Sequence, residues 1–181
     1  MQLNQVKALV TGGVSGLGLA TVKYILENGG NAVMLDVNDE AGAAATAETG
    51  ALYLNTDVTS EEKVIESARQ AAETMGGLNA AVNCAGIIGA GRVLGREAPM
   101  PLSLFSTTIN INLVGSFNVA KAAADLMQHN EAGEDGEKGV IINTASVAAY
   151  EGQIGQAAYS ASKAGLVGMT LPMARELSRF G

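Results

Sequence analysis

Short apolar runs alternate with longer stretches of helical spacing along most of the chain. Val6–Val10, Ala32–Leu35, Ala51–Asn55, Asn79–Val82 and Val140–Ile142 are compact, mostly aliphatic runs and read as strands. Gly16–Asn28, Asp39–Glu48, Ser60–Met75 and a long helix within Pro101–Gln128 fill most of the intervals. Gly29-Gly30 and Gly76-Gly77 supply helix stops, and Ser60 supplies an N-cap. Ala157–Arg179 predicts a last helix with a bend at Pro172, which removes one helical hydrogen bond. Gly168, four residues earlier, eases the clash there, so a bend is expected and not a break. Ile87–Pro101 reads as a loop and Glu131–Lys138 as a charged surface turn. Strand, helix, strand repeated in this way predicts βαβ units around a parallel sheet, in one domain spanning residues 1–181.

Composition narrows the partners. The chain has 181 residues, 48% hydrophobic but only 4% aromatic, with no Trp and 23 Gly, so the core must be aliphatic and closely packed. A net charge of −7 argues against nucleic acid or an anionic membrane as the main partner. The opening residues Met1–Gln5 are polar, and no apolar run is long enough to span a bilayer, so the expected compartment is the cytoplasm. Cys84 is the only cysteine and cannot form an internal disulfide. The only histidine, His129, lies in a polar Gln-His-Asn segment and reads as an exposed helix end. Cys84 thus has no evident base and reads as a small packed residue; no metal site is expected.

The sequence Thr-Gly-Gly-Val-Ser-Gly-Leu-Gly fills Thr11–Gly18, between the first strand and the first helix. Glycines there allow positive φ and close backbone approach, and the helix N-terminus offers free N–H groups to a pyrophosphate. Gly12, Ser15, Gly16, Leu17 and Gly18 are therefore candidate dinucleotide contacts, although such a turn can also serve only to pack strand on helix. Asp36 ends the second strand, where a carboxylate would accept from the adenosine ribose hydroxyls and repel a 2′-phosphate. Val14, Val37 and Asn38 add no cation, so NAD is expected over NADP. Asp57 follows the third strand and is either an adenine contact or an Asx turn before the next helix. Cys84, Ala85 and Gly86 follow the fourth strand, where small residues let a ribose pass over the backbone.

Tyr159 and Lys163 are four residues apart at the start of the last helix, which puts them on one face, roughly 6 Å apart. An ammonium beside a phenol favours the phenolate. Ser146, just past the fifth strand, is placed to hold a substrate oxygen, and Asn112 to bind a water leading to Lys163. Each alone is ordinary: a surface helix pair, a turn serine, a polar helix position. Their order behind the glycine turn makes the set specific.

On these residues the chain resembles the short-chain dehydrogenase/reductase family. Thr11–Gly18 matches its Thr-Gly-x-x-x-Gly-x-Gly turn, and Asn83-Cys84-Ala85-Gly86 its Asn-Asn-Ala-Gly segment with Cys for the second Asn. Asn112, Ser146, Tyr159 and Lys163 match its catalytic tetrad in order. Gly139–Lys163 and the acidic turn before it resemble the branch acting on 3-hydroxyacyl-CoA. The resemblance implies a Rossmann-type doubly wound parallel sheet with helices on both faces, hydride transfer with NAD, and a homo-oligomer, tetramer or dimer. It implies cofactor contacts at Ser15, Leu17, Asp36, Asp57, Val58, Cys84, Tyr159 and Lys163, and substrate contacts at Ser146, Gln156 and Tyr159. Tyr159 would exchange the proton, Ser146 steady the oxygen, and Asn112 extend the proton relay. Family members continue past the last helix with further strands, so the C-terminal strands are expected to be missing from residues 1–181, leaving the fifth strand as an exposed edge. Two alternatives remain: an NADPH-dependent reductase of 3-oxoacyl thioesters on an acyl-carrier protein, and a catalytically idle NAD-binding or assembly protein.

Overall fold

The computed structural model describes all residues from Met1 to Gly181. Five strands, β1 (Lys7–Thr11), β2 (Asn31–Asp36), β3 (Leu52–Asn55), β4 (Ala80–Asn83) and β5 (Val140–Asn143), form one parallel sheet in the order β3-β2-β1-β4-β5. The helices are α1 (Gly16–Glu27), α2 (Asp39–Thr49), α3 (Glu61–Met75), α4 (Leu102–Ile109), α5 (Ser116–Met127) and α6 (Ala157–Leu177). Side chains alternate across the sheet, as period-two geometry requires. Leu9, Val33, Leu35 and Ala81 join one core with Val64, Ala68, Val119 and Ala123 from α3 and α5. Ala8, Val10, Met34 and Val82 join a second core with Val22 and Ile25 from α1 and Ala45 from α2. Both cores are aliphatic.

Local chemistry sets the helix boundaries. The Asn38 side chain accepts from Ala41 N at 3.0 Å and starts α2, and Ser60 accepts from Lys63 N at 3.4 Å and starts α3. Gly50 and Gly76 end these helices in the left-handed region. The chain passes through Pro172 without interrupting α6, then tightens into a 3-10 turn at Ser178–Phe180.

One expected element differs. The single long helix within Pro101–Gln128 is α4 and α5 joined by a π-helical segment, Asn110–Gly115. Within it the Asn112 side chain turns inward, while the Ser116 hydroxyl donates back to the Asn112 carbonyl at 2.7 Å. Asn112 is wholly buried, so the wider turn serves to aim a polar side chain at the interior.

The sheet order positions the site. The chain reaches the β3 edge, then re-enters on the far side of β1 as β4. The segments leaving β1 and β4 therefore depart in opposite directions, opening a crevice at their carboxyl ends. Thr11 Oγ1 spans it, accepting from Cys84 N at 3.2 Å and Ala85 N at 3.1 Å. β5 pairs with β4 alone, and its Val140 and Ile142 side chains are exposed, as expected of an open edge.

Candidate active site

The glycine turn closes tightly over this crevice. Gly12 has φ +61°, and a methyl there would stand 2.9 Å from Ala85 N. A methyl on Gly18 would collide with the Gly12 carbonyl oxygen, so α1 starts directly beneath the turn. Gly16, at φ +49°, instead faces open space. Ser15 is the N-cap of α1 but makes no side-chain capping bond, and Leu17 is exposed. The first turn of α1 thus has uncapped N–H groups beside an open, backbone-lined surface, which fits a pyrophosphate.

Asp36 stands at the end of β2. Its Oδ1 accepts from Val37 N at 2.8 Å and Asn38 N at 3.1 Å, leaving the other oxygen unengaged. Asp57 forms the Asx turn, with Oδ1 accepting from Thr59 N at 2.9 Å and Thr59 Oγ1 at 2.8 Å; here too one oxygen is unengaged. The Val58 side chain lies in the core against Gly115, and its carbonyl accepts from Asn118. What Val58 offers a ligand is its amide, not its side chain. Cys84 is half-buried, with its sulfur 3.5 Å from the Thr144 hydroxyl. A methyl on Gly86 would stand 3.1 Å from Asn112 Oδ1 and 3.9 Å from Lys163 Nζ, so Gly86 lies between those two side chains.

Tyr159 and Lys163 occupy the first two turns of α6, with Lys163 Nζ 5.7 Å from the Tyr159 ring centre. Lys163 is 6% exposed, and its ammonium donates to the Thr144 carbonyl at 2.5 Å. Burial holds its pKa below the usual lysine value, with the nearby Cys84 partly opposing that shift. Ser146 caps a 3-10 turn at Val147–Ala149, its Oγ accepting from Ala148 N at 3.1 Å, which leaves the hydroxyl proton free to donate.

Two of the expected site residues make structural bonds of their own. Asn112 makes no direct bond to Lys163. Its Oδ1 accepts from Ile87 N at 2.8 Å, and its Nδ2 donates to Ile87 O at 2.8 Å and to Ser162 Oγ at 3.0 Å. Both amide protons are committed, so the side chain positions the loop after β4 and the start of α6. Gln156, expected to line the substrate pocket, accepts from Gln153 N at 2.9 Å through Oε1 and closes the turn leading into α6. Residues that sequence reasoning missed are Ile87, Thr144 and Ser162. The first two act through backbone atoms, which leave no side-chain signal. Ser162 lies beside Lys163 in the sequence, but its partners become visible only in the fold.

The short chain dehydrogenase family profile matches residues 6–181. The chain belongs to the short chain dehydrogenase family. It is an oxidoreductase of the doubly wound α/β class that uses a nicotinamide cofactor. It is 48% identical over 178 residues to 3-hydroxyacyl-CoA dehydrogenase type-2 of Bos taurus, covering 96% of this chain and 68% of that protein. The crystal structure of 3-hydroxyacyl-CoA dehydrogenase type-2 from Mycobacterium avium matches with a TM-score of 0.88 and 41% identity, over 96% of this chain and 70% of that one. NAD+-bound xylitol dehydrogenase matches with a TM-score of 0.85 and 33% identity, over 98% of this chain and 66% of that one. No helix of this dehydrogenase is long and apolar enough to cross a membrane.

Proposed function

We propose that this dehydrogenase interconverts a 3-hydroxyacyl-CoA and its 3-oxoacyl-CoA, with NAD as the hydride partner. The observation that carries the reading is the buried Lys163 ammonium beside the Tyr159 ring, at the crevice formed where the sheet order reverses. Bound NAD supplies the hydride acceptor in oxidation and, as NADH, the donor in reduction. Gly12, Ser15, Gly16, Leu17 and Gly18 hold the pyrophosphate, and Asp57, the Val58 amide, Cys84, Ala85 and Gly86 line the path from adenine to nicotinamide. The unengaged oxygen of Asp36 accepts from the adenosine ribose, and its charge, with only Val37 and Asn38 beside it, disfavours a 2′-phosphate.

The chain's own residues move the proton. Ser146 donates its free hydroxyl proton to the substrate oxygen and fixes it near Tyr159. The Tyr159 oxygen takes the substrate hydroxyl proton in oxidation and returns it in reduction. Lys163 stabilises negative charge on that oxygen, held in place by the Thr144 carbonyl. Asn112 keeps the loop after β4 and the first turn of α6 in register. The close likeness to 3-hydroxyacyl-CoA dehydrogenase type-2 over nearly the whole chain supports the thioester substrate.

The test is NADH formation from 3-hydroxybutyryl-CoA, followed by absorbance, with NADH binding measured separately by fluorescence. The expected result is turnover with NAD well above that with NADP, and a loss of roughly a thousandfold in kcat for Tyr159→Phe, within the range of general acid–base catalysis. NADH binding stays measurable in that variant. Turnover that survives Tyr159→Phe would remove Tyr159 from the chemistry.

A further inference from the structure

The ring of Tyr53, on β3, packs against the core beneath α1 and α2. It lies so close to α2 that a methyl on Gly42 would stand 2.5 Å from it. A ring held in this way delivers its hydroxyl to the start of α2. There the hydroxyl donates to Asp39 Oδ1 at 2.9 Å and to the Asp36 carbonyl at 3.2 Å, its single proton shared between them. Asn55 lies two residues on in the same strand, and so on the same face. Its Nδ2 donates to Asp39 Oδ1 at 2.7 Å and to the Val37 carbonyl at 3.4 Å. Tyr53 and Asn55 therefore act together on the segment from Asp36 to Asp39.

An acid in the first turn of a helix ordinarily answers the helix dipole, and Glu40 beside it does the same. What Asp39 adds is a link back to β3. The Asn55 amide and the Tyr53 hydroxyl hold the Asp39 carboxyl below the usual carboxylate range. Burial and Asp39 push the Tyr53 phenol up to about 12, so neither group changes its charge near neutral pH. The linked segment carries Asp36. The Asp36 carbonyl accepts from Thr56 N at 2.8 Å as well as from Tyr53, and its Oδ1 accepts from the amides of Val37 and Asn38. Those two amides belong to the stretch that Asn55 and Asp39 hold from either side. The free oxygen of Asp36 is thus aimed from β3.

We propose that Tyr53, Asn55 and Asp39 are positioning residues for nucleotide choice: they fix the direction of the Asp36 carboxylate, and through it the preference for a ribose 2′-hydroxyl over a 2′-phosphate. The proposal rests on the NAD reading above and names what makes that reading selective. A hydrogen bond to the ribose depends steeply on angle, whereas repulsion of a phosphate changes only slowly with distance. A loosened Asp36 therefore loses its bond to NAD before it loses its repulsion of NADP. Asp39 acts through its bonds and not its charge, since an amide oxygen in the same place would accept the same two protons.

The test is the ratio of the dissociation constants of NADPH and NADH, read from the fluorescence of the bound nucleotide in the full chain. Tyr53→Phe and Asp39→Ala should each lower that ratio about fivefold, the scale of one hydrogen bond, chiefly by weakening NADH. Asp39→Asn keeps the acceptor oxygen and should stay within about twofold of the wild type. In Asp36→Ala there is no carboxylate to aim, so adding Tyr53→Phe should move the ratio by less than about twofold. Without nucleotide, the Val37 and Asn38 amide hydrogens should exchange about fivefold faster in Tyr53→Phe than in the wild type. A preference for NADH that survives Tyr53→Phe and Asp39→Ala overturns the proposal and leaves the NAD reading standing. So does an equal fall in Asp39→Asn and Asp39→Ala, which would assign the effect to charge. A Tyr53→Phe effect that persists in Asp36→Ala, or unchanged exchange at Val37 and Asn38, overturns it as well. Wild-type protein that binds NADPH as tightly as NADH would instead overturn the NAD reading, and the proposal with it.

Discussion

Ser162 joins the two halves of the active site. Its hydroxyl donates to the Tyr159 carbonyl at 2.7 Å and accepts from Asn112 at 3.0 Å, with the residue wholly buried. Removing it leaves one Asn112 proton without this partner and frees the first turn of α6. Ser162→Ala should cost about 1 kcal/mol in unfolding free energy, and roughly tenfold in kcat, equivalent to about 1.4 kcal/mol in the barrier. NADH affinity should change little. Denaturant unfolding and steady-state kinetics on one preparation separate the two effects; a kcat that holds steady while stability falls would leave Ser162 a packing residue only. Lys163 gives a prediction in pH. Burial lowers its folded pKa from 10.5. Between that lowered value and 10.5 the unfolded chain binds the extra proton, so stability rises with pH across the interval. Below it, both states are charged and the folded state bears the full desolvation cost. Tyr53 acts in the opposite sense: burial and the Asp39 carboxylate raise its phenol from 10.0 to about 12, so it lowers stability as pH climbs past 10. Unfolding followed as pH rises towards 10 should therefore show a steeper upward slope in the wild type than in Lys163→Met. Parallel slopes would mean that the Lys163 charge is as well solvated in the folded chain as in the unfolded one.

At the scale of elements, the glycine turn and the helix that follows act as one unit. Gly18 matters for what lies above it: a methyl there meets the Gly12 carbonyl and would push α1 away from the turn. Gly18→Ala should destabilise the chain by about 1–3 kcal/mol, the usual range for overpacking, and weaken NADH binding by more than the equivalent Gly16→Ala. Fluorescence titration of both variants makes the comparison, and equal loss in the two would show that the turn tolerates displacement of α1. This unit was legible in the chain because an apolar strand, a glycine run and a helix follow in order. The π-helical segment was not. Its residues have the composition of an ordinary helix, and what widens the turn is Asn112 reaching Ile87 and Ser162, which lie 25 and 50 residues away. Asp57 was legible only as an alternative, and the fold realises the Asx turn while leaving one oxygen for a ligand. Val58 and Gln156 were matched as positions, and the directions of their side chains depended on neighbours that no local pattern encodes.

At the scale of the molecule, the sheet is protected unevenly. β1 and β4 are covered by helices on both faces, and the two cores meet across them. β5 has a hydrogen-bonded neighbour on one side only. Ile141 packs towards α5 and its core, while Val140 and Ile142 point to the other face and stand 42% and 49% exposed. An apolar strand with unpaired backbone groups is a template for pairing with another chain, and nothing on β5 itself opposes it: the strand is Val-Ile-Ile-Asn, without a charge. The net charge of −7 resists association only at long range and is screened by salt. The chain of residues 1–181 should therefore self-associate through this edge, more strongly at high ionic strength. Ile142→Lys places a charge on the exposed face without touching the Ile141 side of the core. It should raise the concentration at which the monomer gives way to larger species by roughly tenfold, equivalent to about 1.4 kcal/mol. Sedimentation velocity across a concentration series, at low and high salt, reads this directly. Association that persists unchanged in Ile142→Lys would place the contact on another surface, the exposed Val114 and Phe117 side chains of the π-helical segment and α5 being the next apolar patch to test in the same way.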